Sequence, residues 1–235
     1  MNHNLFNYCL QLGDTSLILS HRIAEYCSKA PHLEEDLAIT NVGLDLLGQA
    51  ESFLKYAAEI KNDGTNEDDL AYRRKEKDFK SIHLSEIPNF DFAFIITRQF
   101  LIDAYNYLLF SKLSESNDET ISGIAKKSIK EIRYHLQRSK EWIIRLGQGT
   151  NESNKRIQNA IDELWMYTNE LFYDSHAQLL RMVALELGAE DKLEYLQEKF
   201  AKKGLMILYT APWPGQGFYT KFPVNSVSDF KGKKL

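Results

Sequence analysis

Five stretches of this chain repeat apolar residues at spacings of three and four, the period of an α-helix that buries one face. In the first, Tyr8, Leu12, Ser16, Leu19, Ile23 and Tyr26 fall on one line. Pro31 opens the second, where Leu33, Leu37, Leu44, Leu47, Leu54 and Ala58 are read as the inward stripe, running to about Ile60. Asn62 to Asn66 is a loop by composition. A third helix follows Pro88-Asn89, with Phe92, Ile95, Ile96, Phe100, Ala104, Tyr105 and Leu108 inward or partly inward. Asn117-Asp118 caps a fourth, which runs through Ile121, Ile124, Ser128, Ile132 and Leu136 until Gly147 and Gly149 stop it. Ser153 or Asn154 caps a fifth, bearing Ile157, Ile161, Leu164, Trp165, Thr168 and Phe172. Long helices with short connections and no run of paired strands predict an all-α antiparallel bundle.

A chain of 235 residues is long enough to bury a sizeable core. Its net charge of −4 gives it no general attraction to nucleic acid. No apolar run approaches the roughly 18 residues that a membrane span needs, and the first residues lack the basic-then-apolar pattern of a secretory signal. Cys9 and Cys27 are read as sharing one helix about 27 Å apart, too far to pair. The expectation is a reduced, cytoplasmic setting.

Polar residues inside the stripes carry the chemical reading. Asp45 and Gln49 sit in the apolar run from Gly43 to Ala50, Asp103 follows Phe100-Leu101-Ile102, and Glu131 and His135 share the fourth helix. Four helices each offering an inward acid make the skeleton of a di-iron bundle. That chemistry uses Glu-x-x-His, because a spacing of three puts carboxylate and imidazole on one face. Here the spacing from Glu131 to His135 is four. The residues three before the histidines (Ile18, Lys29, Lys80, Ile132 and Tyr173) are never acidic. Two readings stay open: a degenerate metal site whose buried acids pair with arginine or histidine, or ordinary solvated helix charges.

The run from Pro31 to Ala50 resembles the structural subunit of the bacterial phenylacetyl-CoA epoxidase, a multicomponent monooxygenase. So do Leu12-Gly13-Asp14, the run from Arg98 to Ala104, the run from Ser128 to Leu136, and Glu163-Leu164-Trp165. The likeness covers about residues 5–175. It implies a ferritin-like helical fold and a chain with no catalytic, cofactor-binding or metal-binding residue of its own. It also implies a homologous catalytic partner that holds the di-iron centre, further subunits of the complex, and an indirect link to a reductase. The role implied is to stabilise that partner during ring epoxidation in aerobic phenylacetate degradation. Phe90, Phe92, Phe94, Phe100, Tyr105, Tyr107 and Phe110 crowd one helix, more than one stripe uses, which suggests burial on two sides.

The character changes after about residue 178. Residues 180–235 hold nine Lys or Arg against six Asp or Glu, and three of the five prolines. Gly204 to Tyr209 reads as a short strand and Ala211 to Gly217 as a turn. The runs Pro214 to Lys221 and Pro223 to Lys234 resemble solute receptors of tripartite ATP-independent periplasmic transporters. The expected organisation is a helical domain over 1–178 and a foreign-looking tail over 179–235. Two other functions are carried as alternatives. One is a di-iron oxygenase or iron-handling protein using Asp45, Asp103, Glu131 and His135; the other, resting on the tail alone, is a transport-related solute-binding fragment.

Overall fold

A computed structural model describes residues 2–172, which cover nearly all of the first of two units of the chain, Met1–Leu171. The expected boundary at 178 and the transporter-like tail lie outside the described residues. The described residues are helical and contain no strand, in the all-α arrangement that the stripes predict. Seven helices follow in order: α1 (His3–Ala24), α2 (Leu33–Lys61), α3 (Glu67–Tyr72), α4 (His83–Glu86), α5 (Phe92–Leu113), α6 (Glu119–Gly147) and α7 (Asn151–Trp165). Short 3₁₀ turns occupy Glu76–Asp78 and Thr168–Phe172. The long helices α1 and α2 pack on each other, α5 packs on α6 and α7, and α2 meets α6.

Local chemistry fixes the helix ends. The side chains of Asn2, Asp91, Asp118 and Thr150 accept from backbone N–H groups in the first turns of α1, α5, α6 and α7, which satisfies donors that a helix leaves orphaned. Thr150 replaces the expected Ser153 or Asn154 cap because its hydroxyl accepts from the Ser153 N–H at 3.1 Å. The last turn of α2 ends on Asn62 at φ 51°, a left-handed position that asparagine tolerates. Asn66 and Asp69 open α3 with a reciprocal capping box.

Several expected core positions face outward. Leu33, Leu37 and Leu44 are 71, 57 and 60% exposed, and Leu47 is 38% exposed. The inward face of α2 is instead Ile39, Val42, Leu46, Gln49, Ala50 and Phe53. Helix α2 has leucines on both sides, so periodicity finds a stripe without saying which stripe meets the neighbours. Leu108 and Trp165 are also exposed, as is Phe90, which precedes α5. Of the aromatic crowd, Phe94 and Phe110 are buried, and Phe110 meets Phe53 edge to face at 5.9 Å between ring centres. Cys27 lies past the end of α1, and both cysteines are free.

Two polar clamps organise the connection between α2 and α5. Asp14, fully buried on α1, accepts from both terminal nitrogens of Arg74 and from the Lys80 N–H at 2.9 Å. Arg98, fully buried on α5, donates to the Ile87 carbonyl and to Asn89 Oδ1, each at 2.6 Å. Burial lowers the Arg98 pKa to about 10, so the guanidinium keeps its charge at neutral pH.

Helices α1 and α2 touch closely where Gly13 faces Leu54. A Cβ at Gly13 would stand 2.8 Å from Leu54 carbons. Gly13→Val is therefore expected to destabilise the fold by about 1–3 kcal/mol through overpacking, read as a lower urea midpoint with an unchanged m-value.

Candidate functional site: a polar centre between three helices

The sequence-selected residues come from three helices: Asp45 and Gln49 from α2, Asp103 from α5, and Glu131 and His135 from α6. Their placement follows from spacing. Asp45 and Gln49 are one turn apart on one side of α2, and Glu131, His135 and Ser139 are successive turns of α6. The buried Asp14 of α1 is not part of this centre; it is held by Arg74.

The centre divides into linked pairs. Gln49 Nε2 donates to Glu131 Oε2 at 3.1 Å. Nε2 of His135 donates to Asp45 Oδ2 at 2.8 Å, because an ionised carboxylate can only accept. The imidazole is fully buried while Asp45 is 38% exposed, so the pair runs from interior to surface. Burial lowers the His135 pKa, against the opposing pull of the Asp45 hydrogen bond and the Asp45 and Glu131 charges. The neutral ring then leaves Nδ1 as an acceptor, which has no hydrogen-bond partner.

Asp103 is buried at 2% exposure, with only uncharged groups bonded to it. Gln99 Nε2 lies 2.7 Å from Oδ1, and Ser139 Oγ lies 3.4 Å from Oδ2. Ser139 also donates back to the His135 carbonyl at 2.9 Å, which joins the two halves of the centre. Burial pushes the Asp103 carboxyl well above its ordinary range, outweighing the Gln99 and Ser139 hydrogen bonds. Burial therefore favours its protonated form.

Sequence reasoning missed Gln99 and Ser139, together with a third tie along the α2–α6 seam. There Glu35 accepts from Arg138 and, at 2.9 Å, from Trp142 Nε1. The signal available was the i,i+4 spacing of Gln99 with Asp103 and of His135 with Ser139. It points to a helix face but not to the partner across it.

These residues do not fit a di-iron centre. Such a site needs ionised carboxylates converging with imidazoles. Here amides stand at Gln49 and Gln99, burial pushes the deepest acid, Asp103, toward its protonated form, and Ile132 occupies the position three before His135. Ile132 is 1% exposed and packs with Phe53, Phe110 and Ala125. Among the described residues, no three His, Cys, Asp or Glu side chains stand close enough to share a metal ion. What the arrangement can do is hold three helices together through buried and half-buried hydrogen bonds.

Comparison with known proteins adds two findings. A sequence model of the family described as phenylacetic acid catabolic protein matches residues 1–211. Over 170 residues the chain is 51% identical to a protein of Escherichia coli (strain K12) described as one of the subunits of 1,2-phenylacetyl-CoA epoxidase. That alignment covers 72% of this chain and 68% of the other protein.

Proposed function

This chain belongs to the phenylacetic acid catabolic protein family, and on that premise we propose that it is the non-catalytic structural subunit of a phenylacetyl-CoA-epoxidising monooxygenase. Its task is to stabilise and orient a homologous subunit that holds the di-iron centre, within a cytoplasmic complex fed by a separate reductase. The observation that carries this reading is the donor set at the α2–α5–α6 centre. The centre is built from the amides of Gln49 and Gln99 and a buried aspartic acid pushed toward its protonated form, and an isoleucine stands three before His135, where the Glu-x-x-His pattern needs an acid.

The physical benefit to the partner follows from its chemistry. A bundle that buries several carboxylates around metal carries costly polar groups in its core. Apolar burial over a large obligate interface offsets that cost.

The test is co-expression of this chain with the catalytic subunit, followed by purification and iron analysis of each component. The expected result is a stable complex with iron only in the partner. Stoichiometric iron retained by this chain alone would overturn the reading in favour of an oxygenase or iron-handling protein with irregular ligands.

A further inference from the structure

Helix α6 carries a basic stripe on the face that it turns away from the bundle. Lys126, Lys130, Arg133, Gln137 and Lys140 follow at spacings of four, three, four and three, so they form one line along the helix. All five are exposed, as is Lys127 beside them. The buried side of the same helix is Ala125, Ser128, Ile132, His135 and Ser139. From Glu119 to Gly147 the helix holds seven Lys or Arg against three Glu, a net +4 in a chain whose net charge is −4.

These cations lack carboxylate partners. Among the described residues, none of Lys126, Lys127, Lys130, Arg133 and Lys140 forms an ion pair. Arg22, Arg73, Lys112 and Arg156, elsewhere in the unit, each have one. Of the three acids on α6, Glu119 lies in the first turn, Glu131 accepts from Gln49, and Glu141 accepts from Gln137 at 2.9 Å. Lys126 with Lys130, and Lys130 with Arg133, are like charges one turn apart, which weakens a helix. Within the bundle only Arg133 has a use, lying 5.9 Å from the centre of the Tyr107 ring.

The surroundings limit what the stripe can receive. On the side of Tyr107, α5 has no acid except the buried Asp103. Exposed acids lie on α2 and α7, which also pack on α6. They are Glu51 and Glu59, with Lys55 between them, and Glu152, Asp162 and Glu163. The basic strip is thus one helix wide and about 21 Å long from Lys126 to Lys140. A nucleic-acid duplex or a bilayer is an extended anionic surface and would meet the flanking acids too. An acidic patch on a protein can match the strip in size. Standing subunit interfaces have cores depleted of charge, and of lysine in particular. A line of exposed lysines suits a partner that is steered in by charge and released again.

We infer that the line Lys126–Lys130–Arg133–Lys140 on α6 docks the acidic face of a protein that binds the assembled complex reversibly. This inference rests on the subunit role proposed above, in which the separate reductase is such a partner and serves as the probe.

The test uses the complex of the full chain with the catalytic subunit, and measures turnover against reductase concentration at low and high salt. Lys126→Gln/Lys130→Gln/Lys140→Gln is expected to raise the half-saturating reductase concentration about 10-fold at low salt. The difference should vanish at about 1 M salt, where charges are screened within about 3 Å. The maximal rate should stay unchanged. Glutamine forms helices about as well as lysine, and the melting temperature of each complex checks the fold. Lys75→Gln/Lys77→Gln/Lys155→Gln removes the same charge from exposed positions off α6 and should behave like the unmodified chain. A stripe variant with an unchanged requirement for reductase would overturn the inference and leave the subunit role intact. An equal loss in the control variant would also overturn it, since total charge rather than the line would then matter. Weaker association with the catalytic subunit would place the stripe in the standing interface instead. Binding of the unmodified complex to phosphatidylserine vesicles, lost in the stripe variant, would assign the stripe to a membrane surface. An unmodified chain that fails to associate with the catalytic subunit removes the subunit role and the inference with it.

Discussion

Replacing Arg74 by alanine is expected to destabilise the helical unit by about 3–5 kcal/mol, because it strands a buried charge. The Asp14 carboxylate is fully buried, and two nitrogens of Arg74 with the Lys80 N–H make up its hydrogen bonds. Without the guanidinium, one backbone N–H is left to support the carboxylate. Arg74 also lies over the Phe79 ring at 4.3 Å and donates to the Asp78 carbonyl at 3.1 Å, so the segment from 73 to 80 loses its anchor on α1 as well. The pair as a whole contributes much less than its rupture costs. Asp14→Leu/Arg74→Met, which removes both charges, is expected to recover part of the loss. Urea denaturation of the two variants beside the unmodified chain measures this. A double variant as unstable as Arg74→Ala would show that the apolar contacts of Arg74, rather than the unpaired charge, dominate.

The second large effect concerns pH. Asp103 has a folded pKa raised above its unfolded value by burial, so the folded state holds a proton that the unfolded state releases. Its contribution to stability is full below the unfolded pKa of about 3.9. It falls by about 1.4 kcal/mol per pH unit as pH rises from there toward the folded pKa. His135 works the other way. Its folded pKa is lowered, so its contribution is full above about 6.5, the unfolded value, and is lost as pH falls toward the folded pKa. Between these limits the two slopes oppose each other. Asp103→Asn keeps the shape and removes the titration. The variant is expected to gain stability relative to the unmodified chain as pH is raised from about 4 to 8, starting above the unfolded value. Melting temperatures of both proteins across that range decide the matter, and parallel curves would mean that the Asp103 pKa is not raised in the folded state.

Much of the fold was legible because helices announce themselves through spacing. Asp118 was readable as a cap, as were the positions of Ile121, Ser128 and Ile132 inside α6. The misreading of α2 has a definite cause. Leu33, Leu37, Leu44 and Leu47 obey the helical period as well as Ile39, Val42 and Leu46 do, and a single helix does not reveal which of its two apolar faces its own bundle covers. The same limit applies to Trp165, whose ring is exposed although Leu164 beside it is fully buried. The short helices α3 and α4 span six and four residues, too few to show a period. At the centre, the acids and His135 were visible as polar interruptions of apolar runs. Gln99 and Ser139 were not, because their role depends on a partner 36 residues away or on a neighbour one turn along.

The polar ties along α2 and α6 have a consequence for assembly of the bundle itself. Two 29-residue helices lined mainly by aliphatic groups could slide past each other by one turn, 5.4 Å, while keeping much of their apolar contact. Their antiparallel pairing sets Asp45 against His135 and Gln49 against Glu131. A four-residue slip in one direction would put Asp45 opposite Glu131, two carboxylates face to face. A slip in the other direction would turn Glu131 toward Phe53, which is fully buried. Each error carries its own electrostatic or desolvation penalty. Residues of the kind that a catalytic relative would commit to metal thus act here as an alignment key, selecting one register of two long helices from several that hydrophobicity alone would accept.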